Sequence, residues 1–294
     1  MDMAKANTRG VLMMIASMTF FTLNDACMKA LSGTLPLSQA LFLRGISTTL
    51  LMLGLAIALG GLTFRLPRRD WYLIAMRSVT EIGSAYFFIS AIYNMPFANA
   101  TAILQVLPLS ITLAGAIFLG EAVGWRRMLA ILIGFSGVML IVRPGFDGFT
   151  TYSLYALAAV VAVTCRDLLS RQLSKDVPTM TVALFNAATV TVVFGLGSMT
   201  IDWAPITTPA LWQLGGASVF IIGGYIFSVS AMRIGEIAVI APFRYTALLS
   251  ALLLGLIFFG EWPDALTLLG SAIIVSTGVY TFYRERSIAK QARA

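Results

Sequence analysis

The chain has 294 residues, of which 59% are hydrophobic and only 11% charged, with a formal net charge of +7. A soluble domain carries about 25% charged residues, so the composition excludes a water-soluble globular protein and demands lipid as the outer solvent. The positive charge does not point to nucleic acid: the basic residues sit in short segments between apolar runs, where Lys and Arg mark cytoplasmic loops.

Taken in order, ten runs are long and apolar enough to span a bilayer, which needs about 20 residues. They cover about residues 8–28, 37–60, 71–93, 97–119, 125–142, 152–172, 179–201, 211–233, 237–259 and 265–283. Turn signals such as Asn94-Met95-Pro96, Pro144-Gly145 and Trp262-Pro263-Asp264 separate them. The runs lack period-two alternation, so they read as helices. Lys5 and Arg9 ahead of an apolar run resemble a signal peptide. Asn24-Asp25-Ala26-Cys27 is a poor cleavage site, however, and the first run is read as a retained helix. With the N-terminus inside, 14 Lys and Arg fall on inner segments and 2 on outer ones, which predicts both termini inside. Cys27 and Cys165 are too few for a disulfide framework and read as packing residues. The absence of His excludes a His-based metal site or proton relay, and nothing calls for a cofactor.

The chain contains one stretch twice. Ser78–Glu121 lies on Ser218–Glu261 at an offset of 140, with 16 of 44 positions identical and Phe-x-Gly-Glu closing both copies. Upstream, Asp25-x3-Lys29 matches Asp167-x3-Arg171 at an offset of 142. The repeat predicts two similar halves, 1–147 and 148–294. Five spans per half is an odd number, so the second half enters the membrane from the opposite side. The fold class is therefore an all-α integral membrane protein of ten transmembrane helices in two inverted five-helix repeats, an arrangement behind many secondary transporters.

This pattern resembles the drug/metabolite transporter superfamily in its EamA-like branch. The first half carries Ala98, Pro108, Gly120-Glu121 and Gly137-Val138, and the second Ala238, Gly260-Glu261 and Gly278-Val279. Leu248 stands where the second proline is expected, and Pro242 lies earlier, which predicts a displaced kink. The resemblance implies a pathway between spans 1–4 and 6–9, with spans 5 and 10 peripheral. It implies transport of amino acids and related carboxylates, nucleoside-like metabolites or a vitamin such as riboflavin. No ATP-binding loop is present, so a gradient would supply the energy.

Charges inside spans are costly and are functional candidates. Arg44 and Glu81 fall near the midplane, while Arg77 and Arg244 lie closer to the inner side. One reading places these four in a polar cavity of net charge +2 that favours a carboxylate. The other has Arg77 reaching the inner surface and Arg44 pairing with Glu81. Tyr245, Tyr86, Gln105, Asn186 and Tyr225 are candidates to line the cavity, with Asn24 and Tyr93 beside them. Asp25 and Asp167 read either as gating residues at opposite mouths or as solvated pairs with Lys29 and Arg171. Glu121 and Glu261 read as fixing the turns after their helices. Small-residue stripes, Ala130-Gly134-Gly137 and Ala272-Ser276-Gly278, permit close packing within the chain or in a homodimer. The expected protein is an inner-membrane carrier of a small organic metabolite working by alternating access. The rivals are an integral-membrane enzyme, for which no catalytic constellation is found, and a non-transporting scaffold, which needs no midplane charges.

Overall fold

The computed structural model describes residues 3–59, 62–121, 123–145, 149–174, 176–234 and 236–291; the expected division at 147/148 lies outside them. The described residues are helical throughout, joined by short turns. The first half comprises α1 (Met3–Ala30), α2 (Leu37–Leu59), α3 (Arg68–Asn94), α4 (Phe97–Leu104), α5 (Leu107–Leu119) and α6 (Trp125–Val142). The second comprises α7 (Thr151–Arg171), α8 (Thr179–Ser198), α9 (Thr208–Ile234), the short α10 (Ile237–Ile240), a 3-10 turn (Ala241–Tyr245), α11 (Thr246–Phe259) and α12 (Ala265–Gln291). α4 with α5 make span 4, and α10 through α11 make span 9.

Among the described residues nine helices are long and apolar enough to cross a membrane. The tenth, α3, has the length at 27 residues, but Arg77, Glu81 and several Ser and Thr dilute its apolar character. The least hydrophobic span thus carries charges inward.

Contacts at the helix ends establish the inversion. At one end of the bundle, Lys29 at the close of α1 bonds the carbonyl of Met95 and pairs with Glu261 beyond α11, and Arg143 beyond α6 pairs with Asp264 ahead of α12. At the other, Arg171 at the close of α7 pairs with Glu121 beyond α5, and Asn7 near the start of α1 meets the backbone of Glu236 after α9. Since α1 and α7 end at opposite faces, the repeats are antiparallel.

The halves are interleaved. α1 packs along α9, α3 along α7, α2 along α8 and α6 along α12. Each pairing joins one repeat to the other, so neither five-helix unit closes a core by itself. The small residues serve these contacts. A Cβ on Gly137 would stand 2.8 Å from the Gly270 carbonyl oxygen, and one on Gly270 would stand 2.5 Å from that of Gly137. Gly134 and Gly137 are therefore used within the chain, while Ala272 and Ser276 on α12 remain exposed.

The two broken spans break at equivalent places. Pro108 has no N–H to continue the helix from α4. Gln105 and Val106 instead bond three residues back, to Ala102 and Ile103, as a 3-10 turn. In span 9 the 3-10 stretch begins beside Pro242 and ends at Tyr245, the repeat mate of Gln105. The expected displacement holds for the start of the distortion, which beside Pro242 begins at Ala241, the mate of Thr101, but not for its end at Tyr245, which stays close to register with the first half.

Both Phe-x-Gly-Glu copies form one turn. Gly120 and Gly260 take left-handed φ of 68° and 63°, which glycine adopts without a Cβ clash. Glu121 and Glu261 then return their N–H to the carbonyls of Gly115 and Gly255, six residues back, which gives each helix end a partner for one of its last carbonyls.

Candidate functional site

A cavity of about 340 Å³ lies where the repeats meet. It is lined from α1, α2, α3, α4, α5, α7, α9 and the 3-10 turn; among the described residues, α6 and α12 contribute nothing to its wall. A second groove, of about 450 Å³, runs along the outer side of the α6–α12 pair among Trp125, Leu129, Ile133 and Tyr280. Its apolar, outward-facing lining suits lipid.

The cavity wall is built from repeat mates. Phe21 and Val163, Asn24 and Arg166, Asp25 and Asp167, Glu81 and Ile221, Phe88 and Ser228, and Leu104 and Arg244 occupy equivalent positions, and all twelve face the cavity. The scaffold is two-fold and the chemistry is not. Only the aspartates are identical and only Phe21 and Val163 are both apolar; in the other four pairs an apolar or neutral residue faces a charged or polar one.

Three arginines and three carboxylates line the space: Arg44, Arg166, Arg244, Asp25, Glu81 and Asp167. The expected excess of two positive charges is corrected, because Arg166, Asp25 and Asp167 join the lining and Arg77 lies outside it. Glu81 is enclosed by cations, with Arg166 Nη1 at 3.4 Å and Arg77 Nη1 at 3.7 Å. Arg166 also donates from Nε to Asp167 Oδ1 at 2.9 Å. Arg77 donates from Nε to Ser170 Oγ at 2.8 Å, which keeps it on the α3–α7 seam rather than at the inner surface. Arg44 does not pair with Glu81 within ion-pair distance. Its Nη1 donates a long 3.5 Å bond to Asn24 Oδ1, while Asn24 Nδ2 donates to Asp25 Oδ1 at 2.8 Å. Arg244 has no hydrogen bond or ion pair among the described residues, and its side chain is exposed to the cavity.

Of the residues expected at the site, Arg44, Glu81, Arg244, Gln105, Asn24, Asp25 and Asp167 line the cavity. Tyr86, Asn186, Tyr225 and Tyr245 stand outside it. Tyr86 is exposed within a cluster formed with Phe87 and Tyr155. Asn186 is buried between α3 and α8, where Ser78 Oγ donates to its Oδ1 at 2.6 Å. Tyr225, repeat mate of the cavity-lining Ala85, is half-buried, and its hydroxyl has no hydrogen-bond partner among the described residues. Tyr245 is buried against α12, its ring beside Phe282 and its hydroxyl where a Cβ on Gly278 would be. Successive residues of a 3-10 turn point about 120° apart, so Arg244 in the cavity sends Tyr245 away from it. Sequence reasoning missed Arg166, whose signal was its pairing with neutral Asn24 in the repeat.

The local pairs expected of Lys29 with Asp25 and Arg171 with Asp167 are replaced by pairs between the repeats. Lys29 Nζ meets Glu261 Oε1 at 2.9 Å and Arg171 Nη1 meets Glu121 Oε1 at 2.8 Å. These pairs are repeat mates, one at each end of the cavity. The glutamates thus do more than fix their own turns, and the aspartates are left to the cavity.

The profile of the EamA-like transporter family matches residues 8–143 and 150–283. The S-adenosylmethionine uptake transporter of Rickettsia bellii is 24% identical over 290 residues, covering 97% of each chain. The pseudopaline exporter CntI of Pseudomonas aeruginosa is 28% identical over 286 residues, covering 94% of this chain and 95% of that one. The riboflavin transporter of Vibrio cholerae is 26% identical over 232 residues, covering 79% of this chain and 77% of its own. A solved crystal structure matches with a TM-score of 0.68 at 21% identity, over 95% of this chain and 98% of that one, which shows a common fold. With both repeats matched and the inverted ten-span architecture in place, the chain belongs to the EamA-like transporter family.

Proposed function

We propose that this protein is a secondary carrier that moves a small organic metabolite across the inner membrane by alternating access, with both termini on the cytoplasmic side. The observation that carries this reading is the unequal burial of repeat mates around the central cavity. At the Lys29 end, Met28, Leu31, Leu35, Ile92 and Ile103 are all buried. Their mates at the Arg171 end, Ser170, Leu173, Val177, Met232 and Phe243, are half-buried or exposed. A two-fold scaffold packed tightly at one end and loosely at the other is one of two related conformations. Exchanging the environments of the repeats would close the second end and open the first.

The cavity volume falls in the range of small-molecule sites. The S-adenosylmethionine, pseudopaline and riboflavin handled by the relatives are of that class. A scaffold would have no use for six ionisable groups around a cavity. The decisive experiment reconstitutes the purified protein in liposomes and measures uptake of these three compounds, singly and in competition. Saturable uptake of at least one, abolished by preloading with an excess of the same unlabelled compound on both sides, is the expected result. Uptake that rises linearly with concentration, or no uptake of any of the three, would overturn the reading. Tags at both termini should be reachable only from the cytoplasmic side, and a tag at the C-terminus on the opposite face would refute the orientation.

A further inference from the structure

The groove along the outer side of the α6–α12 pair is not uniform. Its floor is made of small side chains, Ala130 on α6 and Ser276 on α12, and its rims of large ones: Leu129, Ile133 and Tyr280 are each more than two-fifths exposed. Ile133 lies about 12 Å beyond Trp125 along the helix. The groove therefore runs from the Arg171 end of the bundle into the apolar depth of the membrane.

The two arginines that follow Trp125 are used differently. Arg127 donates to Thr112 Oγ1 on α5 at 2.9 Å, which holds it against the protein. Arg126 lines the groove, exposed, with its guanidinium 5.3 Å from the centre of the Trp125 ring. Besides that ring it has no partner among the described residues. Glu121, at the same end, is taken by Arg171, and no carboxylate lines the groove among the described residues. A guanidinium lying over an aromatic face keeps its N–H edge for the oxygens of a phosphate. Arg284, one turn beyond Tyr280 on α12, adds positive charge at this end.

The repeat supplies an internal comparison. The offset of 140 puts Ala265 and Leu266 at the opposite end of the pair, where Trp125 and Arg126 stand at this one. The cation at that opposite end, Arg143, is paired with Asp264. The same two helices thus face both leaflets, but the arginine stacked on an aromatic ring belongs to one end alone. The proposed orientation puts that end in the cytoplasmic leaflet, which carries anionic lipid.

We propose that this groove is a binding site for one anionic phospholipid, its phosphate on Arg126 and an acyl chain along Leu129 and Ile133. Basic pockets between membrane helices on the cytoplasmic side recognise acidic headgroups in this way. Charge decides between a lipid and a second copy of the chain. A two-fold contact brings the same residues of both copies together, so two grooves packed face to face would set Arg126 and Arg284 against their like. An anionic headgroup matches them instead.

The test uses the full-length purified protein in detergent, with lipid retention measured by native mass spectrometry. The probes are dioleoyl phosphatidylglycerol and dioleoyl phosphatidylcholine, which share their chains and differ in net charge. The first phosphatidylglycerol should be held about tenfold tighter than phosphatidylcholine, as one charge-assisted contact warrants. Arg126→Ala should bring the two lipids to equal affinity. Arg126→Lys, which keeps the charge but loses the planar fork, should keep a reduced preference. Arg65→Ala removes another exposed arginine from the inner side and should leave the preference unchanged. Ser276→Trp fills the groove from an exposed position and should weaken both lipids. The proposal is overturned if Arg126→Ala keeps the preference, if Arg65→Ala loses it equally, or if Ser276→Trp leaves both lipids bound as before. Displacement of phosphatidylglycerol by an equal concentration of glycerol phosphate would also overturn it, by making the site one for a free phosphate. So would a dimer that retains no lipid and is abolished by Ser276→Trp, which would assign the groove to a second copy. None of these outcomes touches saturable uptake in liposomes, which tests the carrier reading separately.

Discussion

The Lys29–Glu261 and Arg171–Glu121 pairs are the same contact made twice, at opposite ends of one molecule, and their surroundings differ. At the first end the Lys29 side chain is only 9% exposed, donates also to the carbonyls of Ile92 and Met95, and sits 5.3 Å from the centre of the Phe259 ring. Glu261 accepts the N–H of Phe97 through its second oxygen at 2.7 Å. One ion pair thus ties α1, α3, α4 and α11 together. At the other end both partners are more than two-fifths exposed. An ion pair open to solvent contributes little, typically 0–1 kcal/mol. Breaking a buried one by removing a single partner costs about 3–5 kcal/mol. The difference teaches that, in an inverted repeat, a conformational state is written in how the two copies of one contact are solvated.

The largest expected effect comes from breaking the sealed copy. Glu261→Gln keeps an oxygen for the Phe97 N–H but removes the countercharge of a buried ammonium, and should destabilise the closed end by roughly 3 kcal/mol. The mate variant, Glu121→Gln, should cost under about 1 kcal/mol. In a background with Cys27 and Cys165 replaced, a cysteine introduced at Leu35, which is buried at that end, should react faster with a maleimide in Glu261→Gln and at an unchanged rate in Glu121→Gln. Equal rates in the two variants would show that the difference in solvation carries no energetic difference.

A second variant makes the cavity chemistry more symmetric. Arg166→Asn gives the second repeat the residue that the first has at Asn24. It removes one of two cations from Glu81 and the cation bound to Asp167, both about one-quarter exposed. The loss should be roughly 2 kcal/mol, below the range for a fully buried pair because the cavity admits solvent. Uptake in liposomes should fall on the order of tenfold at normal expression. Wild-type uptake by Arg166→Asn would show that the asymmetry between the repeats is not used.

Much of this architecture is legible in the residues. The offsets of 140 and 142 fix the repeat, the odd number of spans fixes its inversion, and Gly-Glu fixes the two turns. The ion pairs were hidden by a plausible local alternative. Asp25 and Lys29 are four apart, as are Asp167 and Arg171, which on an isolated helix describes a pair on one face. Each base instead reaches a glutamate from the other repeat, and no helical periodicity encodes that contact. The tyrosines failed for a different reason. Aromatic residues in spans pack, anchor or bind with the same local pattern, and only the 120° step of the 3-10 turn separates Arg244 from Tyr245. Arg166 was within reach: reading the repeat for positions where a charge faces a neutral mate picks out Arg166, Glu81 and Arg244, which line the cavity, along with Arg233 and Glu236 near a helix end, which are not among its lining residues.

The smallest expected effect compares the two N-termini of the helices that pack outside the pathway. α6 begins after Gly124, which offers no side-chain cap. Its repeat mate is Asp264, whose Oδ1 accepts the N–H of Thr267 at 2.8 Å and pairs with Arg143. Partial burial pushes the Asp264 carboxyl upward, but the Thr267 amide and Arg143 outweigh it and hold the group below its ordinary value. A carboxyl depressed on folding contributes stability that is present above its unfolded value and lost as the pH falls through the folded one. Asp264→Ala should therefore cost about 1 kcal/mol at neutral pH, and the gap to wild type should close below about pH 4. Gly124→Asp should do the reverse. The backbone there, at φ −65° and ψ 152°, accepts any side chain, and glycine is already a tolerable cap, so the gain should be only a few tenths of a kcal/mol, about 0.3. Melting temperatures of the two variants and wild type at pH 7 and at about pH 2, below both the folded and the unfolded value, check both signs. An Asp264→Ala deficit that persisted unchanged at the lower pH would assign the effect to packing rather than to the charged cap.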